Sequence, residues 1–164
     1  MKMIPLTNGQ KAIVDDEDFD KVSAFNWFLV HERNGTKRAR RTTPDYIDMA
    51  RIVLEVPGGF IADHINGNPL DNRKANLRLA SKQQNLRNRG KGLWLGRSSS
   101  RYKGVCFLRG KWQAQISKDQ RAIYLGTFPC QFCAALAYDI AAVEHFGEFA
   151  RPNFLKAPKG SSAA

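Results

Sequence analysis

The chain has 164 residues, 43% hydrophobic and 10% aromatic, with a formal net charge of +11. It is long enough for one ordinary domain or two small ones, and too apolar for a disordered chain. No apolar run approaches the length of a membrane span, and Met1-Lys2-Met3-Ile4-Pro5 opens no signal peptide, so a soluble, cytoplasmic protein is expected.

The excess charge is uneven. Residues 1–60 hold nine basic and nine acidic side chains, residues 61–100 eight and two, and residues 101–164 nine and four. An excess confined to two adjoining segments reads as a polyanion-binding surface, which suits nucleic acid. Three cysteines, Cys106, Cys130 and Cys133, are too few for a disulfide framework and suit a reducing compartment. Cys130 and Cys133 have ligand-like spacing, but no second pair completes a zinc site, so buried or half-buried thiols are expected.

In chain order, residues 1–60 mix short apolar alternations with turns, as in Lys11-Ala12-Ile13-Val14 and Asn26-Trp27-Phe28-Leu29-Val30. The acidic stretch from Asp15 to Asp20 is expected to cap or front a short helix facing solvent. Asn34-Gly35 is a hairpin signal, with Lys37-Arg38-Ala39-Arg40-Arg41 as the returning strand. Periodicity leaves Met49-Ala50-Arg51-Ile52-Val53-Leu54 open between helix and strand. Ile61-Ala62-Asp63-His64 should end a strand, Asn66-Gly67-Asn68-Pro69 should turn the chain, and Asn76-Leu77-Arg78-Leu79 should return. Ser81 to Gln84 has capping-box spacing, so a helix should start at Lys82 and carry Asn85.

Gly90 to Ser100 reads as a Gly/Ser/basic linker containing Trp94. Beyond it, Trp112, Ala114 and Ile116 alternate with Lys111, Gln113, Gln115 and Ser117, which predicts a strand with one buried face. Gly110 turns the chain before this strand, Lys118 to Arg121 turn it after, and Ala122 to Phe128 supply a further strand. From Cys130 to Phe146 the apolar positions Phe132, Leu136, Ile140 and Val143 predict a helix packing on the sheet by that face. No internal repeat is visible.

Asp63 and His64 sit together at a strand end, with carboxamides downstream at Asn76 and Asn85. Cutting a phosphodiester requires an activated water and charge stabilisation on the phosphate and leaving oxygen. One hard divalent ion held by a few oxygen ligands can supply the second. Asp63 and Asn85 offer such oxygens, which suits Mg²⁺ better than zinc. His64, with an ordinary pKa of ~6.5, suits a general base. Asn76 could tie down the loop that aims His64.

The run Asp63-His64-Ile65-Asn66-Gly67-Asn68, Asp71-Asn72, Asn76-Leu77-Arg78 and Gln84-Asn85 resembles the HNH endonucleases of phage and intron homing type. That resemblance implies a ββα-metal fold, with Asp63 and Asn85 on the metal (Mg²⁺ or Mn²⁺), His64 as base and Asn76 steadying the loop. The preceding segment also resembles that family, which often has Met-His-Arg where this chain has Met49-Ala50-Arg51. A supporting histidine is thus missing at position 50.

A second resemblance covers residues 101–154, through Tyr102-Lys103-Gly104-Val105, Gly110-Lys111-Trp112, Leu125-Gly126-Thr127-Phe128, Ala137-Tyr138-Asp139 and Asn153-Phe154. These residues look like the plant ethylene-response-factor (Apetala-two) DNA-binding domain. It implies a three-stranded antiparallel sheet laid in the major groove and backed by one helix. Family contact positions fall on Lys103, Cys106, Gln115, Ser117 and Tyr124.

The sequence therefore predicts an α+β protein. A nuclease domain occupies residues 1–90 with its ββα core at 59–89, a linker 91–100, a sheet domain 101–156 and a tail 157–164. The expected activity is metal-dependent cleavage of double-stranded DNA by a phage-encoded, homing-type enzyme acting in a bacterial host, as monomer or homodimer. No membrane or small-molecule cofactor is expected. The competing reading is a non-catalytic DNA-binding regulator. Arg73, Lys74, Arg87 and Arg89 should position phosphates, and Arg109, Lys111, Gln113, Lys118 and Arg121 should join the family contact positions on DNA.

Overall fold

The computed structural model describes residues 1–31, 37–42, 44–90 and 99–158. The chain divides into two compact units, Met1–Asn85 and Leu86–Ala164. Among the described residues no helix is long and apolar enough to cross a membrane.

The first unit is mixed α and β, built on small antiparallel sheets. Strands β1 (Lys2–Pro5) and β2 (Lys11–Val14) pair antiparallel. A 3-10 turn at Asp16–Asp18 leads into α1 (Phe19–Ser23). The acidic stretch does front a short helix, yet Asp18 is fully buried between Lys21 and Lys74, at 3.6 and 3.3 Å. Strands β3 (Phe28–His31), β4 (Lys37–Arg41) and β5 (Ile47–Asp48) form a second antiparallel sheet. The Asn34-Gly35 turn lies outside the described residues. The segment left open by periodicity is a helix, α2 (Met49–Val53).

Strand β6 (Ile61–His64) pairs antiparallel with β7 (Leu77–Ala80), and α3 (Lys82–Asn88) follows. The start of α3 is a reciprocal capping box. The Gln84 amide N–H donates to Ser81 Oγ at 3.2 Å, and the Gln84 side-chain oxygen accepts from the Ser81 N–H at 2.8 Å. The core of the unit gathers Ile4, Leu6, Val14, Val22, Met49 and Val53 around Trp27, whose indole N–H donates to the Val22 carbonyl.

The second unit carries β8 (Val105–Leu108), β9 (Lys111–Lys118) and β10 (Arg121–Phe128) in the order β10-β9-β8, then α4 (Gln131–Phe146). Both hairpins turn on two residues with positive φ, Arg109-Gly110 (51° and 77°) and Asp119-Gln120 (50° and 64°). That is the turn geometry matching the twist of paired strands.

Two expectations for this unit are corrected. The face of α4 that packs on the sheet is its small-residue face, with Ala134, Ala135, Tyr138, Ala141 and Ala142 buried. Phe132, Leu136 and Ile140 are 58%, 44% and 56% exposed. Alanines let the helix lie close to the strands, and larger side chains there would hold it off. Cys130 and Cys133 are a disulfide, not thiols. Cys130 is the N-cap of α4 and Cys133 lies one turn on, bringing their Cα atoms to 5.5 Å, within bonding range.

The close approach has a direct consequence at Gly104, which has φ +75° and would place an added Cβ 1.9 Å from the Tyr138 ring and 2.7 Å from the Gln115 carbonyl oxygen. Gly104→Ala should therefore destabilise this unit by about 2–3 kcal/mol or more, read as a lower unfolding midpoint in denaturant. An unchanged midpoint would mean that the backbone does not hold this approach. Buried Asp139 fastens the segment after α4, accepting from the backbone N–H groups of Asn153, Phe154 and Leu155 and from the Asn153 side chain.

Candidate active site

The connection from β6 to β7 is held by its own polar side chains. Gly67 N–H donates to the His64 carbonyl at 2.9 Å, and Gly67 takes the positive φ, 74°, that the turn requires. Asn66 and Asn68 side chains accept backbone N–H groups two residues ahead. Asn76 is buried and used at both ends: its oxygen accepts from Asn66 N–H at 3.0 Å, and its amide donates to the Asp71 carbonyl at 2.8 Å. Backbone bonds from Ile13 N–H to Leu70 and from Asn72 N–H to Ile13 anchor the loop on β2.

In the β6–β7 register Asp63 stands opposite Arg78, and His64 opposite Leu77. Neighbours within a regular strand project to opposite faces, and His64 is the last residue of β6, where the strand ends and both groups can line one cleft. Asp63 is 4% exposed, and its Oδ2 accepts from Arg78 Nε at 2.9 Å and Nη2 at 2.7 Å. Asn85 is half-buried in the first turns of α3, its N–H bonded to the Ser81 carbonyl.

His64 is half-buried and lines a cavity of about 260 Å³ together with Arg38, Arg40, Asp48, Ala50, Arg51 and Asn72. Its Nε2 lies 3.1 Å from Oδ1 of Asn72, a residue only 1% exposed. Burial pushes the imidazole pKa below its ordinary value and the charge of Arg38 adds to this, while Asn72 and the carboxylates of Asp63 and Asp71 oppose it. Ala50, where the resembling family often has histidine, forms part of the cavity wall.

The residues expected on phosphates have intramolecular partners. Arg73 makes a two-pronged pair with Asp71 at 2.7 Å on both bonds. Lys74 pairs with Glu17 at 2.6 Å, and Arg87 lies 3.5 Å from Asp119 and over the Phe146 ring. Lys103 donates through Nζ to the carbonyls of Arg87 and Arg89, and burial lowers its pKa to about 8.

On the sheet, Lys111, Gln113, Gln115 and Ser117 share one face of β9, with Cys106 opposite Gln113 and Tyr124 opposite Gln115. Lys118 and Arg121 face each other at the strand end on the alternate side, and Arg109 occupies the first turn. Asn72 and Arg78, the partners of His64 and Asp63, have no role readable from the sequence alone, although both lie within the HNH-like run.

Among the described residues no three His, Cys, Asp or Glu side chains gather to hold a metal. Asp63 and Asn85 are oxygen donors, a set that fits a hard ion retaining several waters. Arg78 accompanies the carboxylate as its counter-ion without supplying a competing ligand.

The family model described as HNH endonuclease matches residues 55–87. A protein of Acanthamoeba polyphaga mimivirus, described as an uncharacterized HNH endonuclease, is 32% identical over 152 residues, covering 88% of this chain and 75% of the relative. A rice protein described as a putative AP2/ERF and B3 domain-containing protein is 47% identical over 68 residues, 41% of this chain and 22% of that protein. An Arabidopsis AP2-like ethylene-responsive transcription factor is 41% identical over 70 residues, 40% of this chain and 20% of its own length. The match thus spans about a fifth of each plant protein. With a motif match on the β6–β7–α3 segment and a relative aligned along most of both chains, this chain belongs to the HNH endonuclease family, is a nuclease, and joins that module to an AP2-like segment.

Proposed function

We propose that the protein hydrolyses phosphodiester bonds of double-stranded DNA with Mg²⁺ or Mn²⁺, as a homing-type endonuclease, with His64 as general base. The observation that carries this reading is the placement of His64. Its imidazole lines a basic cavity and is held through one nitrogen by a buried carboxamide. With Asn72 Oδ1 accepting at Nε2, that nitrogen carries the proton and Nδ1 keeps the lone pair that takes a proton from water.

Asp63 and Asn85 would hold the ion, which when bound supplies charge stabilisation on the phosphate and leaving oxygen. Asn76 keeps the loop closed behind His64 through its two bonds. In the second unit, the β9 face with Gln113 and Gln115 would read base edges, and Lys111 would meet a phosphate.

The test is incubation of the full chain with supercoiled plasmid, with Mg²⁺ or Mn²⁺ and with chelator. Nicked or linear product is expected only with the metal. Equal cutting in chelator, or no cutting with either ion, would overturn the assignment.

A further inference from the structure

We propose that Arg38 and Arg40 form a phosphate-binding subsite beside His64, which clamps a backbone phosphate of the bound strand against the imidazole. The proposal rests on the reading of His64 as base. It adds two arginines from outside the motif that defines the family here, which begins at residue 55.

Arg38 and Arg40 are two apart on β4 and so share a face of that strand, with side chains 27% and 14% exposed. Both turn to the single carboxylate of Asp48 on β5: Arg38 Nη1 donates to Oδ2 at 3.1 Å, and Arg40 Nε to Oδ1. Arg40 is held further by the Tyr46 hydroxyl at 3.0 Å and by stacking on that ring. Arg51, the third arginine on the cavity, ties the following loop by donating to the carbonyls of Phe60 and Val56.

The described lining carries three arginines, Arg38, Arg40 and Arg51, and one carboxylate, Asp48. Arg38 and Arg40 are pre-aligned, so little side-chain freedom remains to be lost on binding. A planar guanidinium matches two phosphate oxygens at once, a geometry lysine lacks. Asn72 lines the same cavity and is buried, and its Nδ2 has no hydrogen-bond partner among the described residues. A cavity of about 260 Å³ is below the range usual for drug-sized ligands, roughly 300–1,000 Å³. Its size suits one phosphodiester group better than a nucleobase with its sugar.

The test uses the full chain and the variants Arg38→Gln, Arg40→Gln, their double and Arg40→Lys. Single-turnover nicking of supercoiled plasmid at saturating protein should fall about 10- to 100-fold in each glutamine variant. Duplex affinity in chelator should change less than about threefold, because one phosphate contact among many is lost. Arg40→Lys should recover part of the rate, and the rate losses should exceed what any fall in melting temperature accounts for.

A second arm needs no cleavage. A dinucleoside monophosphate, which carries one phosphodiester, is titrated into chelator-treated protein while the His64 imidazole signals are followed by NMR. They should shift in wild type and not in the double variant. Wild-type nicking rates in the double variant would overturn the subsite and leave His64 as base. So would a His64 shift that survives in it, or rate losses that only track lost melting temperature. Failure of the wild type to nick, with the His64 shift intact and abolished in the double variant, would overturn the nuclease assignment and keep the subsite.

Discussion

Asp63→Asn is expected to lower DNA cleavage by about 10³-fold or more while leaving the fold and the DNA affinity close to wild type. A ligand carboxylate sets the charge at a metal site, and a catalytic ion contributes several kcal/mol of transition-state stabilisation, each 1.36 kcal/mol being tenfold in rate. The choice of asparagine matters because Asp63 has a second role. It is the buried counter-ion of Arg78, whose side chain is only 11% exposed. Alanine would strand that guanidinium and cost about 3–5 kcal/mol, so inactivity could come from unfolding. Asparagine keeps an oxygen for Arg78 to donate to and removes the charge. The measurements are plasmid nicking over a range of Mg²⁺, duplex affinity in chelator, and thermal melting. Cutting by Asp63→Asn at the wild-type rate and the same Mg²⁺ would remove Asp63 from the metal and leave it only its ion pair.

The features legible in the sequence are those set by local rules. The capping box at Ser81–Gln84 announced the start of α3, and the alternation from Lys111 to Ser117 separated the buried and open faces of β9. Where two local signals competed, the reading failed. Helix α4 carries two apolar stripes, one large and one small, and hydrophobicity favours the large one with Phe132, Leu136 and Ile140. The sheet selects the small one, because Tyr138 must lie against Gly104. Periodicity finds a stripe but does not say how close the neighbouring layer stands.

Charge shows the same limit. The first 60 residues are neutral in sum, and that sum hid the arginines of β4. Asp15, Asp16 and Glu17 cancel them on paper, whereas in space Arg38 and Arg40 pair with Asp48 at the cavity. Asn72 was invisible for another reason. Its partner is His64, eight residues back across a loop, and that pairing exists only once the loop is anchored on β2.

His64→Ala is expected to lower the cutting rate by about 10²–10⁴-fold, the usual worth of a positioned general base, with little loss of DNA affinity. The pH profile provides the discriminating readout. A base works when unprotonated, so the wild-type rate should rise with pH through the imidazole pKa and then level off. Burial is the largest influence on that group and lowers its pKa, and the charge of Arg38 acts in the same direction. The rising limb should therefore lie below the ordinary histidine value of ~6.5, and the enzyme should be near its plateau at neutrality. Asn72→Ala should cut the rate while leaving His64 in place, since the imidazole loses the bond that fixes its tautomer and aim. The profile is measured as single-turnover nicking at fixed Mg²⁺ between about pH 5 and 8, the span over which an imidazole changes charge. Residual activity in His64→Ala should lose the limb altogether. A limb that persists unchanged in that variant belongs to another group, and His64 would then be part of the cavity wall but not the base.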